Sequence, residues 1–345
     1  MNRLKQPFII PVFLPNIGCP HQCAFCNQKT ITGINSNKLS LENITKQINT
    51  FLGYNRKNNK VQRHVQIAFY GGNFLGLSNK NITLVLNEAS RYIAQKTVDS
   101  IRFSTRPDTI NREKLNIIKD FPVSTIEIGV QSMNDKVLEL SNRGHTSYDT
   151  KKAIHMIKEQ NFILGLQIMV GLPGDNEEIS IGTAKEIVKF SPDFTRIYPT
   201  VVLSESPLAT WYKQGKYIPL TLEKCVTLVK KIYLIFHDAK ISVIRMGLHS
   251  SADFDDGESI LDGPYHPSFG HLVFSEIFLD MALNQIKKKN RILNEKIVIK
   301  VNPKNISRIR GLKNKNIDII INKFNLKSLK VLPDSSLNKD IVEIC

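Results

Sequence analysis

Three cysteines lie close together near the start of the chain: Cys19, Cys23 and Cys26, in the run Cys19-Pro-His-Gln-Cys-Ala-Phe-Cys26. Three thiolates in one short loop can hold an iron–sulfur cluster. A four-iron cluster with three cysteine ligands keeps one iron open. An open iron binds a small molecule and passes it an electron. A structural zinc knot completed by His21 or a distant residue also fits thiolates. Zinc sites usually come as two ligand pairs, however, and no second C-x2-C follows. Disulfides fit poorly, because three clustered cysteines leave one over. The spacing by itself leaves cluster and zinc both open.

Such a loop has to be positioned by the elements around it. Short apolar, β-branched runs alternate with helical stretches. Strands are predicted over 8–14, 65–70, 100–105, 125–130, 163–170 and 194–199. Helices are predicted over 39–52, 81–95, 112–120, 135–141, 148–160 and 177–190. This alternation predicts parallel βαβ units. Six of them give an α/β fold of the partial, TIM-like (β/α)6 type, short of the eight in a closed barrel. The cysteine loop, Gly71-Gly72-Asn73, Ser104-Thr-Arg-Pro-Asp108, Gln131-Ser132 and Gly171-Leu-Pro-Gly174 all follow strand ends. In a parallel barrel those ends share one face, where active sites form. Asn55–Lys60 reads as a basic, solvated loop. Beyond residue 200 the pattern changes. A helix is predicted over 222–239, a strand over 241–248 and a helix over 271–289. A small α/β segment follows, over 296–301, 303–309, 316–321 and 327–331. Two parts are expected: a barrel over 1–250 and a basic α/β extension over 251–345.

The residues at those strand ends suit a bound nucleoside. Gly71 and Gly72 allow close approach of a ligand and leave carbonyls to accept from an ammonium group; a tight strand-to-helix turn is the alternative. Glu127 and Gln131 alternate onto one strand face, and Arg143 follows the next helix. An amide and a guanidinium there suit a ribose and a carboxylate. Arg106 competes for the carboxylate, or contacts a nucleic-acid phosphate. Gln167 and Met169 share a strand face that would line the nucleoside, with core packing the alternative for Met169. Asp108 reads as a helix cap, His145 as a turn or helix-end histidine, and Cys225 and Cys345 as inert. Tyr198, Tyr265 and His266 sit where substrate could approach, or pack as ordinary loop residues.

Together these motifs resemble the radical S-adenosylmethionine (SAM) superfamily. The likeness starts from C-x3-C-x2-C, with aromatic Phe25 before the last cysteine, and the glycine pair after the second strand. With Ser104–Asp108, Glu127–Ser132, Arg143-Gly-His145 and Gly171–Gly174 added, the chain is similar to the subgroup containing the elongator catalytic subunit. That likeness covers residues 5–250. Gly129–Ser132 and Arg143-x-His145 carry a weaker kinship to oxygen-independent coproporphyrinogen oxidases. The resemblance implies a [4Fe–4S] cluster on Cys19, Cys23 and Cys26. It implies S-adenosyl-L-methionine held by Gly71, Gly72, Asn73, Ser104, Arg106, Glu127, Gln131, Arg143 and Gln167, and a 5′-deoxyadenosyl radical. It also implies an electron donor such as flavodoxin or ferredoxin. Asn73 stands where the superfamily has the carboxylate of a Gly-Gly-Glu motif, so a direct carboxylate role is lost. The subgroup's acetyltransferase domain is not expected, since the tail lacks a glycine-rich CoA loop.

Composition narrows the partners. Hydrophobic content of 41% with 23% charged residues reads as soluble and globular. The apolar run Phe8–Leu14 is too short and too proline-interrupted to span a membrane. Five cysteines, three of them clustered, point to a reducing, cytoplasmic setting. The net charge is +16, and from Leu283 onward fifteen Lys/Arg stand against five Asp/Glu, a balance of +10. A patch of Lys287–Lys289, Arg291, Arg308, Arg310, Lys313 and Lys315 would grip tRNA or another RNA; a solvated basic face is the alternative. Three functions follow: a radical SAM enzyme acting on RNA, one acting on a small tetrapyrrole-like molecule, or a non-catalytic RNA-binding protein stabilised by a metal.

Overall fold

A computed structural model of the chain describes residues 7–14, 16–20, 22–28, 39–58, 63–248, 259–288 and 296–345. The first half alternates as predicted: β1 (Phe8–Phe13), α1 (Leu41–Asn58), β2 (Val65–Tyr70), α2 (Asn79–Ala94), β3 (Ser100–Thr105) and α3 (Arg112–Lys119). Then come β4 (Val123–Gln131), α4 (Asp135–Leu140), α5 (Ser147–Lys158), β5 (Ile163–Val170), α6 (Glu177–Lys189) and β6 (Phe194–Pro199). Helix α1 runs on through 55–58, where a loop was expected. After β6 lie β7 (Val202–Leu203), α7 (Pro207–Lys213), α8 (Leu222–Asp238), β8 (Ser242–Met246), β9 (Ile260–Asp262) and α9 (Phe269–Lys288). The chain closes with β10 (Lys296–Val301), α10 (Ile306–Arg310), α11 (Lys315–Phe324), β11 (Ser328–Pro333) and β12 (Val342–Ile344). His21, Lys289, Arg291 and the expected boundary at 250/251 lie outside the described residues.

The main sheet has seven parallel strands in the order β1-β2-β3-β4-β5-β6-β8, one more than the six expected. Strand β8 returns beside β6 after β7, α7 and α8. The sheet is an incomplete TIM-like barrel, with β1 and β8 as its edges. Its two faces differ in chemistry. Ile10, Val12, Ile67, Phe69, Ile101, Phe103, Ile126, Ile128, Leu166 and Ile197 are buried in one apolar core with the helices. Alternate positions carry Tyr70, Arg102, Ser104, Glu127, Gln167, Arg196 and Tyr198 on the other, inner face. Parallel strands covered on both faces usually read as continuous apolar runs. A polar inner face is therefore a local requirement of this barrel.

Edge strand β1 has a guarded free side. The N–H groups of Phe8 and Leu14 donate toward β2, to the His64 and Tyr70 carbonyls, each at 2.8 Å. Strand alternation turns positions 9, 11 and 13 the other way. Position 11 is proline, with no N–H, and the Phe13 N–H donates to Gln47 Oε1 of α1 at 2.9 Å.

Helix α9 belongs to two cores. Phe269 and Val273 pack into the barrel core, whereas Phe278, Ala282 and Ile286 pack with β10–β12. The C-terminal sheet has the order β11-β10-β12, with β10 and β11 parallel and β12 antiparallel. Among the described residues no helix is long and apolar enough to cross a membrane.

Candidate functional site

The cysteine loop joins β1 to α1 at the C-terminal ends of the strands, over β2, β3 and β4. Cys19 is exposed, Cys23 buried and Cys26 half-buried; all three are free thiols. Burial, reinforced by Cys23, pushes the Cys26 thiol up to about 12. Cys19, exposed as a residue but crowded by the surrounding chain, is also raised, by that desolvation and then by Cys23. The three thiols therefore lie within one another's electrostatic reach. Two cations meet them: Arg143 Nη1 is 3.3 Å and Arg106 Nη1 3.9 Å from Cys23 Sγ. Both arginines are buried. Among the described residues no three His, Cys, Asp or Glu side chains are already gathered closely enough to hold a metal ion. The donor chemistry nonetheless fits an iron–sulfur cluster, with free thiols on one loop and guanidiniums beside them to balance thiolate charge.

Asn73 holds this loop in place. It is fully buried, and its Nδ2 donates to the Gly18 carbonyl at 2.9 Å. Its Oδ1 accepts from Thr105 Oγ1, Thr109 Oγ1 and the Arg106 N–H at 2.8, 2.9 and 3.0 Å. The amide thus ties the cysteine loop to the ends of β2 and β3. Gly72 is where the loop crosses β2: a Cβ there would lie 2.4 Å from the Leu14 carbonyl and 2.6 Å from that of Ile17. The Gly71 carbonyl accepts from the Asn16 N–H at 3.1 Å. Asp108 forks onto Arg106, with both bonds at 3.0 Å. The expected cap of the following helix is instead Asn111, which accepts from the Lys114 N–H.

At the end of β4 a bulge between Gly129 and Gln131 re-aims the chain. Gln131 takes φ +66, an uncommon conformation for a residue with a side chain. Its Oε1 is buried and meets no donor. Arg143 Nη2 donates to the Gly129 carbonyl at 2.8 Å, lying where a Gly129 side chain would be. His145 is buried against the Val130 carbonyl, 3.2 Å away, as a turn histidine.

A second tier lies deeper on the inner face. Glu127 is wholly buried. Its carboxylate accepts from Tyr70 OH at 3.1 Å, Gln167 Nε2 at 2.8 Å and Arg196 Nη2 at 3.2 Å. Arg196 Nε and Arg102 Nε approach it at 2.7 and 3.2 Å. Neither Nε is aligned for a hydrogen bond, so their attraction is coulombic. Gln167 also donates to Ser104 Oγ at 3.0 Å, and Arg196 donates to Tyr70 OH at 3.0 Å and Tyr198 OH at 3.4 Å. Burial opposes the charged form of Arg196, but Tyr198, Glu127 and Tyr70 keep its pKa above the ordinary value. Burial and then Glu127 raise the Tyr70 phenol. Of the predicted residues, the structure thus gathers Gly71, Gly72, Asn73, Arg106, Gln131 and Arg143 around the cysteine loop. It gathers Ser104, Glu127 and Gln167 in the deeper tier. Tyr265 packs on Val201 and Leu203. Sequence reasoning missed Arg102, Arg196 and Tyr70. Their signal was a charge or phenol at positions alternating with the large apolar residues of each strand.

Known proteins resemble this chain in sequence and fold. Residues 14–187 match the Radical SAM superfamily, and residues 192–278 match the Radical SAM C-terminal domain. An uncharacterized protein of Methanocaldococcus jannaschii is 31% identical over 66% of this chain and 72% of its own. The tRNA uridine(34) acetyltransferase of the same organism is 32% identical over 49% of this chain, which spans only 31% of that longer protein. Among solved structures, Methanocaldococcus infernus Elp3 superposes with a TM-score of 0.60 at 20% identity, over 84% of this chain and 65% of that one. That likeness is one of fold. With the family match running from the cysteine loop through α6, this chain belongs to the Radical SAM superfamily.

Proposed function

We propose that the protein binds a [4Fe–4S] cluster through Cys19, Cys23 and Cys26, holds SAM across the strand ends, and acts on RNA, with tRNA the leading candidate. The observation that carries this reading is Cys23 buried between Arg143 and Arg106 on a loop anchored by Asn73. When bound, the cluster and SAM would supply one-electron, radical chemistry at the barrel mouth. The chain's own residues then have definable tasks. Arg143 and Arg106 offset thiolate charge, and Arg143 is the fork for the SAM carboxylate. The orphaned Oε1 of Gln131 accepts from a ribose hydroxyl or the ammonium group. Buried inner walls keep water from the radical. A flavodoxin or ferredoxin is the matching electron donor.

The RNA assignment draws support from the tRNA-modifying relatives and from the C-terminal unit. Arg310, Lys313 and Lys315 are exposed about the turn between α10 and α11, with Lys287 and Lys288 exposed at the end of α9. Arg308, expected in the same patch, instead stacks on Phe274 at 4.0 Å and donates to Asn305. Its work is packing.

Anaerobic reconstitution tests the cofactor. Wild type should gain absorbance near about 400 nm that dithionite bleaches, and each Cys→Ala variant should lose it. Zinc in place of iron, with no such band, overturns the reading. Mass spectrometry of cellular tRNA with and without the protein then tests the substrate class.

A further inference from the structure

The deeper tier holds more positive charge than its neighbours balance. Arg102 and Arg196 face one carboxylate, that of Glu127, so the three carry a net charge of +1. Arg102 is only 5% exposed. Its Nε faces Glu127 Oε1 at 3.2 Å without the alignment of a hydrogen bond, and among the described residues neither terminal nitrogen donates a hydrogen bond to protein. Its guanidinium instead stacks over the Phe194 ring at 5.0 Å. A buried guanidinium whose terminal nitrogens lack acceptors is costly to keep. Cofactor binding at the mouth does not account for it. Arg102 precedes Arg106 by four positions along β3, roughly 13 Å at about 3.3 Å per residue. The cations at Cys23 are therefore a separate pair.

We propose that Arg102 and Arg196 form an anion-binding site on the inner face of the half-barrel that takes a carboxylate of the molecule entering it. This rests on the enzymatic reading above and names a group its substrate or co-substrate must carry. The net charge of +1 matches a monoanion and disfavours a phosphate monoester, which carries nearly two charges and would meet Glu127. A planar carboxylate fits the guanidinium fork, and Tyr70, Tyr198, Gln167 and Ser104 supply neutral hydrogen-bonding groups around it. A phosphodiester is also a monoanion, but it would have to bring an RNA backbone into a position where Arg102 is buried.

The test is saturation-transfer NMR on the reconstituted full-length protein with saturating SAM, titrating acetate, acetamide and dimethyl phosphate at fixed ionic strength. Acetate should bind saturably and acetamide should not. Arg102→Met, which leaves a balanced Arg196–Glu127 pair, should weaken acetate by roughly tenfold or more. Should that variant fail to fold, Glu127→Gln decides: it raises the local charge, so acetate should bind more tightly, an effect a purely structural network does not give. Absence of saturable acetate binding to wild type, or unchanged binding to Arg102→Met, overturns the site. Preference for dimethyl phosphate reassigns it to RNA backbone, and acetate binding that appears only in a parallel titration without SAM reassigns it to the cofactor. Either result overturns the carboxylate assignment. Cluster absorbance is read on the same samples, so a failed acetate site with an intact cluster leaves the cysteine reading standing.

Discussion

Arg143 touches both halves of the mouth, bonding the Gly129 carbonyl with one nitrogen and approaching Cys23 with another. If it also grips the SAM carboxylate, Arg143→Ala should weaken SAM binding by on the order of 1.5–3 kcal/mol. Calorimetric titration checks this, and an unchanged dissociation constant moves the role to Arg106. Cys26 makes a second residue-scale prediction. Its folded pKa, raised to about 12 by burial and then by Cys23, stands above the ordinary 9.0. Below pH 9 both folded and unfolded chains keep that proton. Above it the unfolded chain loses the proton first, so stability should fall as pH rises from 9 toward 12. The metal-free protein should show this in thermal melts, and Cys26→Ser should flatten the slope. The cysteines, Arg106, Gln131 and Arg143 were legible in the sequence because each sits in a recognisable run, the first three at strand ends and Arg143 just after the helix that follows β4. Arg102 and Arg196 were not. A charge in mid-strand means little until its face of the sheet is known to be the inner one.

At the scale of elements, Asn73 changes meaning once the loops are in place. As a sequence motif it stood among cofactor ligands; in the fold its amide links three segments. Asn73→Ala should cost about 2–4 kcal/mol, since several buried groups lose their partner, and cluster yield should drop with it. Denaturant unfolding checks the first effect and iron content the second. Full stability with lost SAM affinity would return Asn73 to a direct binding role. Strands β2, β3, β5 and β6 could be read to the residue, because β-branched runs between glycines and helix caps leave little freedom. Strands β7, β9 and β12 escaped because two or three residues carry no period. Strand β8 was visible as a strand, but its place beside β6 depends on packing that no local pattern encodes.

The whole molecule is two cores joined by one helix. Since α9 buries its first half in the barrel and its second half in the C-terminal unit, any RNA gripped by that unit would be held at a fixed distance from the strand ends. Arg310→Glu, Lys313→Glu and Lys315→Glu together should weaken tRNA binding and flatten its salt dependence by roughly 0.9 for each phosphate no longer neutralised. Arg308 is left intact, because its stacking on Phe274 supports the fold. Titrations at two salt concentrations check this. If the triple variant binds as wild type does, the patch is a solvated face and a small-molecule substrate becomes the better reading.

The guarded edge of β1 bears on how such a protein meets other chains. Its cysteine loop would hold the cluster, and the strand that leads into that loop ends a seven-stranded sheet. An open row of N–H groups there would recruit a strand from another chain. With proline at position 11 and Gln47 covering Phe13, that row is interrupted at two of its three positions. The edge that leads into the cysteine loop is therefore a poor template for a strand from another chain, with or without a cluster in place.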